Sequence, residues 1–205
     1  MWTEVLVALI SSITTLAALF ITNYLKHRNT KKNNITHRIQ RDVVVYEILN
    51  SIKAKFKFSR VLIILFHNGS KYFSGEPIQK ASVVFETVSP GIDPIGKSMQ
   101  DIPVSTMTVA LKAIANDGWF LIDDINSITD EHYKNLMRSY NETHHYSYKI
   151  EDADGWIGIL TCDYTSDNPQ PALSKECVEY IRVQAGRLAT LLKLTNKIYG
   201  VHKNG

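Results

Sequence analysis

Hydrophobic and polar positions divide the chain into an unbroken apolar run near the start and a mixed pattern after it. Residues 5–25 contain no charged side chain. A helix rises about 1.5 Å per residue, so a run of this length can cross a hydrocarbon core of roughly 30 Å. No Lys or Arg precedes the run, which disfavours a secretory signal peptide. The pattern predicts a transmembrane helix, and a buried core helix is the alternative.

The charges that flank this run predict its orientation. Four basic residues follow it closely, namely Lys26, Arg28, Lys31 and Lys32. Glu4 is the only charged side chain before it. Because basic residues stay on the cytoplasmic side and attract anionic lipid headgroups, we expect an outward N-terminus and a cytoplasmic domain at the inner membrane of a bacterial host. Residues 1–25 would be the anchor and residues 26–37 a basic juxtamembrane linker.

The rest of the chain alternates between helical and strand periodicities. Apolar residues three and four apart predict a helix over residues 37–56, capped by Thr36, and a long final helix over residues 174–199. Residues 61–66 form a short apolar run that predicts a buried strand turning at Asn68 and Gly69. The remaining predictions include strands over 81–88, 119–122, 144–150 and 156–164, of which the last two form a hairpin. They also include an irregular loop over 92–104, a helix capped by Ser105 and a short helix that opens at Thr129.

This order of elements resembles the GAF fold, and a PAS-like domain is its nearest competitor. The resemblance spans residues 38–197 and includes the strand that leads to Asn68-Gly69 and the strand WIGILTCDY before the final helix. It implies an α+β domain with a central antiparallel sheet and with the N- and C-terminal helices packed on one face, preceded by one transmembrane helix. The domain would occupy residues 38–199, followed by a disordered tail over residues 200–205.

Two further resemblances concern phage proteins. The segment FHNGSKYFSGEPIQKASVVFE is similar to small membrane-anchored proteins of tailed phages. Residues 158–188, with a Gly-x-x-Thr strand followed by Gln184, Ala185 and Arg187, resemble the soluble domain of the T-even phage holin. The holin domain is periplasmic, whereas the basic residues after the apolar run predict a cytoplasmic domain here.

The distribution of charge argues against a nucleic-acid-binding protein. Residues 26–60 contain ten Lys or Arg and two acidic residues, whereas the chain from residue 61 onward contains thirteen basic and seventeen acidic residues. The basic excess therefore lies beside the predicted anchor instead of covering the domain. Two cysteines, Cys162 and Cys177, are too few for a disulfide framework and predict reduced thiols.

The sequence carries no recognisable catalytic or metal-binding pattern. His144 and His145 are adjacent, so on a strand they point to opposite faces and cannot both bind one ion. There is no Cys-x-x-Cys, P-loop or nucleophile elbow. Cys162 shares a strand face with apolar residues and reads as a core residue, and methionine sulfoxide reductases of GAF type use more cysteines than this chain has. We expect no enzyme activity, no metal and no cofactor.

The best candidate for a ligand site lies after the first predicted strand. His67, Asn68 and Gly69 end that strand, Tyr72 lies in the next loop, and Glu86 ends the second strand. A few polar side chains converging at strand ends are typical of a ligand pocket. The alternative is ordinary turn chemistry at Asn68-Gly69 and a hydrogen-bonded core histidine at His67.

Two functional hypotheses follow. The first is a phage-encoded, membrane-tethered regulatory module of GAF type, which binds a small-molecule ligand or a protein partner and forms a homodimer through its terminal helices. The alternative is a holin-type lysis or membrane-remodelling protein, in which the predicted span oligomerises into lesions and the domain controls timing.

Overall fold

The structure is a computed structural model that describes residues 2–71, 77–153, 155–168 and 173–198. Tyr72 lies outside these residues, and so do the side chains of the four basic residues of the predicted linker. The chain separates into two compact units, Met1–Asp42 and Val43–Gly205, which are described one by one.

The first unit is helical. Helix α1 spans Trp2–Phe56, so the helix predicted to begin after Thr36 begins much earlier. No Gly or Pro occurs in this stretch, so the capping signal at Thr36 has no helix breaker to reinforce it. Over residues 12–24 the large apolar side chains are exposed, namely Ile13, Leu16, Leu19, Phe20, Ile21 and Tyr24. Among the described residues, no helix combines the length and the apolar character that a membrane crossing requires.

The second unit contains a six-stranded antiparallel sheet, which agrees with the predicted α+β class. Its strands are β1 Arg60–Lys71, β2 Pro77–Val88, β3 Ile102–Pro103, β4 Trp119–Ile122, β5 Glu142–Asp152 and β6 Gly155–Thr165. Their order across the sheet is β3-β2-β1-β6-β5-β4. The helices are α2 Thr108–Asp117, α3 Glu131–Ser139 and α4 Lys175–Ile198, with 3-10 turns at Val104–Met107 and Ile125–Ser127.

Both faces of the sheet are covered, because alternate residues of each strand point to opposite sides. One core contains Leu49 of α1 and Leu188 of α4 against Leu160 of β6. The other contains Ile114 of α2 and Met137 of α3 against neighbouring strand residues. The first and last helices thus share one face, as the resemblance implied, while α2 and α3 cover the other.

One local prediction at the sheet is wrong. Asn68 and Gly69 do not turn the chain, since β1 continues to Lys71 and Asn68 pairs with Gln79 of β2. Antiparallel pairing with the adjacent strand outweighs the Asn-Gly turn signal here. The short helix predicted to open at Thr129 is α3, and Asp130 caps it, because its carboxylate accepts the Tyr133 N–H at 2.8 Å.

A bulge in β5 decides which side chains enter the core beneath α2 and α3. Glu142 pairs with Thr165 and His144 with Tyr164, so Thr143 is an extra residue on β5. In a regular strand, residues three positions apart, such as Glu142 and His145, point to opposite faces. The bulge breaks this alternation and brings both side chains to the same face.

Candidate functional site

Four polar side chains form a hydrogen-bonded row on the sheet face beneath α2 and α3. We call Glu142, His145, Ser147 and Thr161 the polar wall. Oε2 of Glu142 lies 2.8 Å from Nδ1 of His145. Nε2 of His145 lies 2.9 Å from Oγ of Ser147, which lies 3.0 Å from Oγ1 of Thr161. All four side chains are more than nine-tenths buried. Such a row is tolerated in a core because its members bond to one another.

A buried ion pair lies at the Glu142 end of the polar wall. The Arg60 guanidinium donates from Nε to Oδ1 of Asp163 at 3.0 Å. Its Nη2 donates to the Tyr140 carbonyl at 2.8 Å and lies 3.7 Å from Oε1 of Glu142. Arg60 therefore faces two carboxylates. Burial of any of these charges without an oppositely charged partner would cost much free energy.

This cluster contains more acid than base. Arg60 contributes one positive charge, whereas Asp163 and Glu142 contribute two carboxyl groups. Burial, and then the nearby Glu142 carboxylate, raise the pKa of Asp163, while Arg60 acts in the opposite direction. Burial also raises the pKa of the Tyr133 hydroxyl on α3. The buried cluster at the Glu142 end of the polar wall therefore favours the neutral form of Asp163 more than water does.

The polar wall closes one side of an internal cavity of about 20 Å³. By volume, the cavity has room for about one water molecule. Apart from Tyr133, the rest of its lining is apolar, and it includes three methionines, Met99, Met107 and Met137. Unbranched thioether side chains adapt their shape readily, so this side of the cavity can change its volume at low cost.

The structure places the predicted site residues elsewhere and apart from one another. The ring Nε2 of His67 lies 2.9 Å from Oγ of Ser82, and the His67 side chain is 39% exposed. Asn68 is exposed and accepts a hydrogen bond from Gln79. Gly69 lies against the Lys80 side chain. Their role in ligand binding stays a prediction.

Glu86, the last member of the predicted site, supports a loop. Its carboxylate accepts the backbone N–H groups of Ile95 at 2.8 Å and Gly96 at 2.9 Å. Glu86 pairs with Leu62 of β1, five residues from His67, which corresponds to roughly 17 Å along a strand. Glu86 and His67 therefore do not line a common pocket.

Both cysteines lie in the core beneath α1 and α4. Cys162 and Cys177 are free and buried. Burial is the largest cause that raises the pKa of each thiol, which makes both poor nucleophiles at neutral pH. Within the described residues, no three side chains of the types that bind metals lie together.

The sequence contained a signal for the polar wall that residue types alone did not reveal. On β6, Thr161, Asp163 and Thr165 occupy alternate positions inside a strand whose other face is apolar. A polar stripe on a fully buried strand requires partners, and those partners come from Arg60 and from β5. The bulge that delivers Glu142 is not visible in the periodicity.

Solved structures with the same arrangement of strands and helices identify the architecture. GAF3 from Slr1393 of Synechocystis sp. superposes with a TM-score of 0.61, at 10% identity, over 80% of this chain and 99% of that chain. This is a GAF fold. The GAF domain region of a putative membrane protein from Geobacter sulfurreducens superposes with a TM-score of 0.59, at 16% identity, over 78% of this chain and 97% of that one. A GAF domain/HD domain protein from the same organism gives 0.57 at 13% identity, over 76% and 94% of the two chains.

Sequence comparisons add no closer relationship. No protein-family model matches the chain, and no curated protein matches it. The structural similarity confirms the predicted GAF fold and leaves the ligand and activity open, because identities of this size are informative for fold alone. The resemblances to phage membrane proteins and to the T-even holin find no support in these comparisons and stay predictions.

Proposed function

We propose that this chain is a regulatory module that binds a small ligand inside its GAF domain, between the sheet and helices α2 and α3. The observation that carries the proposal is the cavity, which combines an apolar, methionine-rich lining with a single polar wall. A mostly apolar pocket with a few convergent polar groups is the usual form of a small-molecule site.

The fold offers a route from this site to the outer helices. Leu62 and Ile64 of β1 line the cavity, while Val61 and Ile63 of the same strand pack in the core beneath α1 and α4. A ligand that displaces the strand would therefore change the contacts of both helices. This supports a regulatory role, because a binding event needs a physical element whose arrangement it can bias.

We also propose that the N-terminal segment tethers the module to a membrane, with the domain in the cytoplasm. The support is the uncharged run of residues 5–25 and the basic residues that follow it. Leu16, Phe20 and Ile21 of α1 expose more than half of their surface. Exposed apolar side chains on an uncharged helical segment suit a lipid environment.

A homodimer through the terminal helices completes the proposal. Val43 and Tyr46 of α1 and Val183 of α4 each expose 42–51% of their surface. Exposed apolar side chains on outer helices suit helix-to-helix packing. Light scattering of the purified full chain tests this, and a monomer at micromolar concentration would contradict it.

The ligand site is tested by a matched pair of substitutions in the two cores. Ala110 lines the cavity, and Ala189 packs on the other face of the sheet. We expect the full chain and its Ala189→Val variant to release a small molecule on denaturation, detected by mass spectrometry. Ala110→Val fills the cavity and should release none. Equal release by both variants, or no release from the unmodified chain, would contradict an interior site.

The tether is tested by fractionation. We expect the full chain to sediment with membranes at high salt and in alkaline carbonate. Reporter fusions at Gly205, one active only in the cytoplasm and one only in the periplasm, check the orientation. Recovery in the supernatant, or activity of the periplasmic reporter, would overturn this part of the proposal.

A further inference from the structure

We propose that the ligand of the interior site is a compact, largely apolar molecule that donates one hydrogen bond to the hydroxyl of Thr161. The inference rests on the proposed function and specifies the chemistry of its ligand. It follows from the directions in which the hydrogen bonds of the polar wall must run.

The direction of the row is fixed at its Glu142 end. An ionised carboxylate only accepts hydrogen bonds, so Nδ1 of His145 donates to Glu142 across 2.8 Å. In a neutral imidazole the other nitrogen then accepts. Nε2 of His145 therefore receives the proton of the Ser147 hydroxyl, 2.9 Å away.

The direction of the hydrogen bonds carries through to Thr161, the last member of the row. Ser147 uses its only hydroxyl proton toward His145, so its oxygen accepts the hydroxyl proton of Thr161 across 3.0 Å. Thr161 lines the cavity and retains acceptor lone pairs on its oxygen. The polar wall thus presents an acceptor to the cavity, and a matching ligand must donate an N–H or O–H group.

The opposite preference would require one more proton, on either Glu142 or His145. Nε2 would then donate to Ser147, each hydroxyl would reverse, and Thr161 would donate into the cavity. Asp163 of β6 lies opposite His145 and pairs with Arg60 of β1, and the ring of Tyr133 on α3 packs edge-on against His145. The preference of the site for a donor or an acceptor ligand therefore reports the direction in which all hydrogen bonds of the polar wall run.

The size and lining of the cavity limit the remainder of the ligand. Ile95, Ile114 and Ile159 are apolar neighbours of the polar wall. The resting cavity of about 20 Å³ has room for about one water molecule, so even a five-membered ring can enter only after the methionine side chains move aside. Pyrrole and furan suit this space as probes, because they have nearly the same shape but only pyrrole donates a hydrogen bond.

The four methionines of the chain provide a direct measure of occupancy. Three line the cavity, and Met1 belongs to the other unit and serves as an internal reference. The full chain, labelled with carbon-13 at the methionine methyl groups and placed in lipid nanodiscs, would be titrated with each probe by NMR. Free probe concentrations are read from the probes' own signals, which corrects for partition into lipid.

The deciding comparison uses Thr161→Val, which removes the hydroxyl while keeping the shape, and Thr87→Val as the matched control. Thr87 bonds to Asn50 and Lys53 and does not line the cavity. We expect the unmodified chain and Thr87→Val to prefer pyrrole, and Thr161→Val to lower the ratio of pyrrole to furan affinity roughly threefold to tenfold.

Each other outcome overturns the inference in a distinct way. A ratio unchanged by Thr161→Val, with both probes bound, leaves the interior site intact but removes Thr161 as the ligand acceptor. A preference for furan that depends on Thr161 assigns the ligand to the acceptor class. Absence of any shift at Met99, Met107 and Met137 with either probe would overturn the interior site as well.

Discussion

Nε of Arg60 lies 3.0 Å from Oδ1 of Asp163, and these two side chains expose 2% and 0% of their surface. Arg60 begins β1 and Asp163 lies directly opposite on β6, so the pair joins the two central strands of the sheet. A charge held this deeply depends on its partner more than an exposed charge does, because water cannot replace the lost contact.

Removal of the Asp163 charge should therefore destabilise the domain strongly. Asp163→Asn keeps the shape of the side chain but leaves Arg60 with a weaker partner, and we expect a loss of about 3–5 kcal/mol in the free energy of unfolding. Urea titration followed by tryptophan fluorescence measures it. The control is Glu176→Gln, which breaks the exposed pair with Lys55 and should leave the unfolding midpoint unchanged. Equal effects of the two variants would refute the argument.

Two glycines should respond to alanine in opposite ways. A Cβ at Gly158 would lie 2.3 Å from the backbone oxygen of Ile64, so Gly158→Ala must push two paired strands apart. We expect it to cost about 2–3 kcal/mol or more. A Cβ at Gly186 of α4 meets no atom within 4 Å, and alanine there should stabilise the helix by about 0.5–1 kcal/mol. Thermal unfolding of both variants measures these opposite changes in stability. If Gly158→Ala costs no stability, β1 and β6 are not paired in this register.

Glu86→Ala should loosen one loop without emptying the ligand site. The substitution removes the acceptor of two backbone N–H groups, those of Ile95 and Gly96, and we expect a loss of about 1–3 kcal/mol. Hydrogen exchange at these two amides should accelerate, whereas Glu179→Ala on α4 should leave them unchanged. If Glu86→Ala also abolishes ligand release on denaturation while the loop stays protected, Glu86 binds ligand as the sequence predicted.

Stability should fall in alkaline solution as buried thiols are forced to ionise. Burial, followed by the nearby Glu176, raises the pKa of Cys177 to about 12. Because the folded pKa exceeds the unfolded one, this stabilising contribution is complete below the ordinary thiol pKa and is lost as pH rises toward about 12. The urea midpoint of the unmodified chain should decrease over this range, and that of Cys177→Ala should decrease less. Equal slopes would contradict a buried thiol at this position.

Much of the fold could be predicted because apolar residues recur at different spacings in helices and in strands. The β4 strand and the β5–β6 hairpin follow directly from apolar alternation, and the long final helix follows from spacings of three and four. The turn predicted at Asn68-Gly69 does not form because a turn signal is local, whereas the pairing of Asn68 with Gln79 is a tertiary contact. Helix α1 begins before Thr36 because no Gly or Pro interrupts the chain there.

The polar wall lies in a different part of the sheet from the predicted site, whose role in ligand binding stays a prediction. His67 and Glu86 stand out in the sequence because they end apolar runs, but each bonds to its own neighbours. Arg60, Glu142 and Asp163 are less conspicuous in the sequence than His67 and Glu86, because each lies close to a strand end, where charged residues are common. Only the pairing of β1 with β6, together with the bulge at Thr143, brings these three charges into one core.

The outer edge of β2 has a consequence for assembly. β3 covers only Lys80 and Ala81, but the Val83 N–H donates to the Met99 carbonyl at 2.9 Å, and the Gln100 side-chain amide donates to the Val83 carbonyl at 2.8 Å. Backbone groups that could recruit a foreign strand are thus already occupied at this position. We expect copies of this chain not to pair edge to edge into fibrils through β2. Larger assemblies would have to form through other surfaces.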